Sequence, residues 1–229
     1  MNETTAVPTT SRTPGFRMIR SLGGIAMLSG LVVVLVYQWT QPIIAENQRI
    51  ATERAVFEVI DGAAAKKDFR LGESGPVPAD SGSDTPGETV YAAYDTDGRL
   101  KGIAMPAAAQ GYQDIVKLLY GYDPYCQCIR GIKVLKMTET PGLGHKIIKD
   151  PAFLANFDAL QARVNPGERG LEQAIVTVKH GTKTDPWQID AISGATVTSN
   201  TVGKALNKSA QALAPLVQQH LNAFEEARP

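Results

Sequence analysis

Residues 21–39, SLGGIAMLSGLVVVLVYQW, form an uncharged run of near-continuous apolar character close to the start of the chain. A helix of about 20 such residues crosses the roughly 30 Å of hydrocarbon in a bilayer. The run has no polar face, so a helix lying along the membrane surface is a poor reading of it. A cleaved signal peptide would leave through small residues in an A-x-A-like pattern. Here the exit is Tyr37, Gln38, Trp39, Thr40, Gln41 and Pro42, and Tyr and Trp belong at the headgroup level of a retained span. The expectation is an uncleaved anchor over 21–40. Arg12, Arg17 and Arg20 precede it, while Arg49 and Arg54 follow. That small bias places segment 1–20 in the cytoplasm and predicts a single-pass protein of a bacterial inner membrane, with its main domain in the periplasm.

Beyond the anchor, residues 41–71 read as a helical linker, with Ile43, Ile50, Val56, Phe57 and Ile60 recurring at near-helical spacing. Asp61-Gly62 breaks it. Residues 72–229 form the domain, opening on a surface loop at 72–88 rich in Gly, Pro, Ser and acids. Val90, Ala92 and Tyr94 alternate, Asp97-Gly98 is a turn pair, and Leu100, Gly102 and Ala104 continue with period two, which predicts a hairpin. Residues 114–123 fit either a strand or a short helix. Strands are expected over 128–140 and 171–181, and a helix over 146–162 after Asp150-Pro151. A last helix over 199–224 carries Val202, Leu206, Ala210, Leu213 and Val217 on one stripe. Pro215 should kink or end it. Strands and helices mixed without strict alternation indicate an α+β fold. Zero net charge and a pI near 6.8 argue against nucleic acid as a partner.

The stretch DAISGATVTSN, 190–200, gathers an acid, a Ser-Gly turn and several hydroxyls just before that helix. Thr198 or Ser199 as helix N-cap explains part of it. Asp190, Ser193 and Thr196 together go beyond a cap, and a helix N-terminus suits an anion. A second stretch, ETPGLG at 139–144, reads either as a turn after a strand or as a Gly-bearing loop whose backbone approaches a ligand closely.

DAISGAT resembles the flavinylation motif of the FMN-binding domain family. ETPGLG resembles a signature of that family's Rnf-complex G subunits and of the C subunits of the sodium-pumping NADH:quinone reductase. The anchor, QPIIAEN at 41–47 and GYQDIVKLLYGYD at 111–123 occur in the family's order. The resemblance implies one covalent FMN per chain, joined as a phosphoester to Thr196 by a flavin transferase. It implies a recognition or phosphate-holding role for Asp190, Ser193, Gly194 and Ala195, and cofactor contacts for Glu139, Thr140, Gly142, Leu143 and Gly144. It further implies a flavoprotein subunit of an Rnf-type complex, moving single electrons between ferredoxin and NAD with ion translocation, among other membrane and peripheral subunits. The equivalent quinone-reductase subunit and a non-redox membrane-tethered binding or assembly module are the alternatives.

No Ser-His-Asp order, metal-ligand spacing or Walker loop is evident, so no catalytic or metal-binding residue is expected; an electron carrier needs few reactive side chains. Cys126 and Cys128 stand as C-x-C. Incidental thiols are the favoured reading, ahead of a disulfide over one residue and a redox or metal site. His145 reads as a loop residue.

Overall fold

The computed structural model describes residues 15–79, 86–167 and 169–227. Arg12, most of the segment 1–20 and the middle of the 72–88 loop lie outside the described residues. The chain divides into two compact units, 1–49 and 50–229.

One helix, α1 (Gly15–Val59), covers both the expected anchor and most of the expected linker and passes through Pro42. It is long and apolar enough to cross a membrane. Leu22, Ile25, Leu28, Leu31 and Val33 are all more than half exposed, as are Tyr37 and Trp39. Side chains that cost free energy in water on every face of a helix are matched to hydrocarbon. Past Val59 the chain turns at Gly62, whose positive φ of 75° suits glycine.

In the second unit, seven strands form an antiparallel sheet in the order β2-β1-β3-β4-β5-β6-β7. They are β1 (Ala65–Gly72), β2 (Gly75–Pro78), β3 (Glu88–Tyr94), β4 (Leu100–Gln110), β5 (Ile115–Asp123), β6 (Cys128–Lys136) and β7 (Leu160–Gln161). The stretch that fits strand or helix is thus a strand, and part of the expected 72–88 loop is β2. A bulge corrects the reading of the hairpin. Ala93 pairs with Gly102 but Tyr94 pairs with Leu100, so Gly102 and Ala104 change faces relative to Leu100. Ile103, Met105 and Ala107 take their place in the main core.

The expected helix over 146–162 is only α2 (Pro151–Leu154), flanked by single 3-10 turns at Gly144–Ile148 and Ala155–Phe157. Asp150 caps α2 by accepting from the N–H groups of Ala152 and Phe153, with Pro151 at its first position. Phe153 and Phe157 then meet edge to face with 5.3 Å between ring centroids, and fold the segment onto the core. The strand expected over 171–181 shortens to β8 (Val176–Val178), parallel to β9 (Gln188–Asp190).

The last helix, α3 (Thr196–Gln219), begins three residues ahead of its expected start and contains Pro215. It breaks at His220 before α4 (Leu221–Glu226). Its Val202, Leu206, Ala210, Leu213 and Val217 are buried against one face of the sheet. Tyr94 donates to the Phe224 carbonyl at 2.8 Å, pinning α4 to β3. Burial pushes the Tyr94 hydroxyl up to about 12.

The opposite sheet face receives the end of α1. Ala55, Val56, Val59 and Ile60 pack on Ala93, Ala104 and Leu119. Gly121 and Gly131 are paired across β5 and β6, and a Cβ on Gly121 would collide with the Val59 carbonyl. The backbone itself is therefore the seat of the helix end. Gly121→Ala is expected to cost about 2 kcal/mol by overpacking, read as a fall in denaturant midpoint. Gly131→Ala, whose Cβ would stand 3.4 Å from Val59, should cost clearly less.

Candidate functional site

Two loops and one helix start converge at one end of the sheet. The first loop joins β4 to β5 and carries Gly111 to Asp114; the second follows β6 and carries Glu139 to Gly144. The third element is the Ser193-Gly194-Ala195 turn that leads into α3. Between them lies a cleft of about 450 Å3 lined by Tyr112, Glu139, Thr140, Leu143, Gly144 and residues Gly194 to Thr198. Ligand pockets for cofactor-sized molecules span roughly 300–1,000 Å3.

Glu139 ties the three pieces together. Its side chain is buried, with 8% of the residue exposed. One carboxylate oxygen accepts the Tyr112 N–H at 2.8 Å, and the other accepts the Thr198 hydroxyl at 3.1 Å. A carboxylate accepts several hydrogen bonds at once, which suits it to joining segments distant in sequence. Gly144 makes the approach possible: a Cβ there would stand 2.6 Å from the Thr198 hydroxyl and 2.8 Å from the Glu139 Cβ. Gly142 supplies the turn before it with φ of 80°. Thr140 closes the loop with its carbonyl, which accepts from Leu143 N–H at 3.2 Å. Asp114, at the edge of this group, is held below the usual carboxylate range by the Ile115 N–H first and then by Lys136.

The helix starts at Thr196, with Ala195 in the cap position and no side-chain cap. This corrects the expectation that Thr198 or Ser199 is the N-cap. Thr198 instead turns inward to Glu139, and the Ser199 hydroxyl accepts from Ile192 N–H and donates to the Ala195 carbonyl. Ser199 N–H bonds the Ala195 carbonyl, so the N–H groups of Thr196, Val197 and Thr198 lie ahead of the intrahelical ladder. The first turn contains no acid. Thr196 is exposed, as are Gly194 and Val197, and its hydroxyl has no hydrogen-bond partner among the described residues. An exposed hydroxyl at a positive helix end with free backbone donors is arranged for a phosphate.

Of the residues singled out in the sequence, Glu139, Thr140, Leu143, Gly144, Gly194, Ala195 and Thr196 line this cleft, and Gly142 shapes its loop. Asp190 and Ser193 line a separate cleft of about 270 Å3 with Lys146 and His180. The Asp190 carboxylate accepts the Gly181 N–H at 2.7 Å and lies 3.5 Å from the His180 ring nitrogen. It thereby fixes the turn beside the motif.

Tyr112 and Asn156 went unmarked in the sequence. Tyr112 is 73% exposed at the mouth of the cleft, and Leu143 and Val197 are more than half exposed on its rim. Asn156 is buried, and its side-chain oxygen accepts both the Asp190 N–H at 3.0 Å and Lys183 at 3.1 Å. Tyr112 meets Glu139 27 residues on, and the Asn156 oxygen meets partners 27 and 34 residues on, so no local signal marks these contacts.

The model of the FMN-binding domain family matches residues 111–211, which hold all three pieces of the cleft. The G subunit of the ion-translocating oxidoreductase complex of Pseudomonas aeruginosa is 30% identical over 193 residues, 82% of this chain and 83% of that protein. The G subunit of the proton-translocating ferredoxin:NAD(+) oxidoreductase complex of Clostridium ljungdahlii is 26% identical over 196 residues, 86% of this chain and 90% of that protein. Among solved structures, NqrC of Shewanella oneidensis has the same fold, with a TM-score of 0.62 at 20% identity, over 78% of this chain and 99% of that one.

Proposed function

We propose a function from one premise: this chain belongs to the family of G subunits of ion-translocating oxidoreductase complexes. It is an FMN-binding electron-transfer subunit of such a complex. Bound FMN supplies the electron chemistry that no side chain in the cleft supplies. The residues present fit the group, since the cleft is of cofactor size and joins an exposed hydroxyl to a helix N-terminus.

The finer reading is that FMN is attached covalently, one per chain, as a phosphoester of Thr196. The observation that carries it is the exposed Thr196 hydroxyl at the first position of α3, without an acid in that turn. The N–H groups of Thr196, Val197 and Thr198 hold the phosphate oxygens, and the helix dipole favours their charge. Tyr112, Leu143 and Val197 offer apolar surface on which a flat ring sheds water. Glu139 and Gly144 keep the loops at the spacing the cleft requires. Ser193 and Asp190, beside the attachment turn, present the face that a flavin transferase reads. The neighbours of this subunit are the other subunits of the complex. α1 crosses the membrane once, with the sheet domain outside the cytoplasm, the orientation favoured by Arg12, Arg17 and Arg20 ahead of the span.

The test is fluorescence of the denatured chain in a gel after co-production with a flavin transferase. A glowing band at the mass of this chain is expected. A dark band, with the transferase active on a control substrate, would overturn covalent attachment and favour a tethered module without flavin.

A further inference from the structure

We propose that Cys126 and Cys128 form a thiol–disulfide exchange site, separate from the flavin cleft, that accepts electrons from a protein dithiol. The two residues are joined in a disulfide with 5.3 Å between Cα atoms, so the reading favoured from sequence, incidental thiols, gives way. Cys126 sits in the turn between β5 and β6 and Cys128 opens β6, at the end of the hairpin away from Gly111 to Asp114. The length of β5 puts roughly 26 Å between the two ends.

The bond adds little that the fold needs. Entropic stabilisation by a cross-link grows with the loop it closes, and this one spans a single intervening residue. Other contacts already hold the turn. The Asp123 carboxylate accepts from Tyr125 N–H at 2.9 Å and Cys126 N–H at 3.3 Å. The Gln127 carbonyl accepts from Ala162 N–H at 2.9 Å, and its side-chain oxygen accepts from Val164 N–H at 2.8 Å. Gln127, between the two cysteines, is the one non-glycine with positive φ among the described residues, at 51°. A side chain resists that conformation, and the two hydrogen bonds to Gln127 hold it without help from the disulfide.

The two sulfurs are unequal in the way exchange requires. Cys128 is buried at 5% exposure. Cys126 is half-buried and lines an open cleft with Tyr125, Arg163 and Glu172. A thiolate of the incoming dithiol attacks the Cys126 sulfur, and the disulfide electron pair leaves on Cys128, which takes a proton. The second thiol of the partner then attacks the mixed disulfide and releases Cys126 as a thiol. In total two electrons and two protons move from the dithiol to the pair, and the partner leaves as a disulfide.

The experiment uses the full chain in detergent and a thioredoxin-class protein dithiol. Native incubation, acid quenching and alkylation with a heavy maleimide should shift the chain by two thiols. A partner lacking its second cysteine should be trapped on Cys126 at least tenfold over Cys128, located by peptide mass. A Cys126→Ser/Cys128→Ser double variant should melt within about 3 °C of wild type, with unchanged flavin fluorescence in the gel. The inference is overturned if the pair is reduced only after unfolding, if trapping occurs on Cys128, or if the double variant loses its fold. One bound zinc per reduced chain that blocks exchange would also overturn it in favour of a metal site, since Asp123 and both sulfurs lie within 4.8 Å of one another. None of these outcomes depends on whether Thr196 carries flavin.

Discussion

Thr196→Ala is expected to remove covalent flavin completely while leaving the chain folded and in the membrane. The hydroxyl is exposed and makes no hydrogen bond within the described residues. A surface substitution of that kind changes stability by no more than about 0.5 kcal/mol. The neighbouring threonine behaves oppositely. Thr198 is 3% exposed and donates to Glu139, so Thr198→Ala should cost about 1 kcal/mol and keep the flavin. Gel fluorescence and a denaturant titration on both variants separate the two roles. Flavin kept in Thr196→Ala and lost in Thr198→Ala would move the attachment residue.

Glu139→Ala should produce the largest loss of stability in the cleft. It removes the acceptor of the buried Thr198 hydroxyl and of the half-buried Tyr112 N–H. A buried donor left without a partner costs about 1–3 kcal/mol, and with the smaller loss at Tyr112 the sum is expected near 3 kcal/mol. For a unit of this size that lowers the melting temperature by roughly 10 °C. Glu139→Gln retains one acceptor oxygen and should recover more than half of the loss. If Glu139→Ala melted with wild type, the carboxylate would not be what joins the three elements.

The parts legible in the sequence were those governed by short periods and local chemistry. The alternation of Val90, Ala92 and Tyr94, the stripe on α3, the turn at Gly62 and the cap of Asp150 on α2 all depend on residues a few positions apart. The bulge opposite Tyr94 was not legible, because a one-residue shift leaves alternation intact on both sides of it. The start of α3 was misplaced for a related reason. Thr198 and Ser199 are good capping residues, but their hydroxyls are engaged by Glu139 and by Ile192 and Ala195, the first of which stands 59 residues away in sequence. α3 runs through Pro215 to Gln219, where local preference suggested a kink or an end. Within the site, DAISGAT and ETPGLG drew attention to seven of the ten lining residues. That they face one another across a shared carboxylate follows only from the sheet that brings the β4–β5 and post-β6 loops to one end.

The central claim is that electrons pass through the group on Thr196 within an assembled complex. The most direct measurement is ferredoxin-driven NAD reduction in membranes holding the complex with either the wild-type chain or Thr196→Ala, at equal amounts of this subunit. The expected result is loss of NAD reduction in the variant with the complex still assembled. Equal rates in the two membranes would contradict the account.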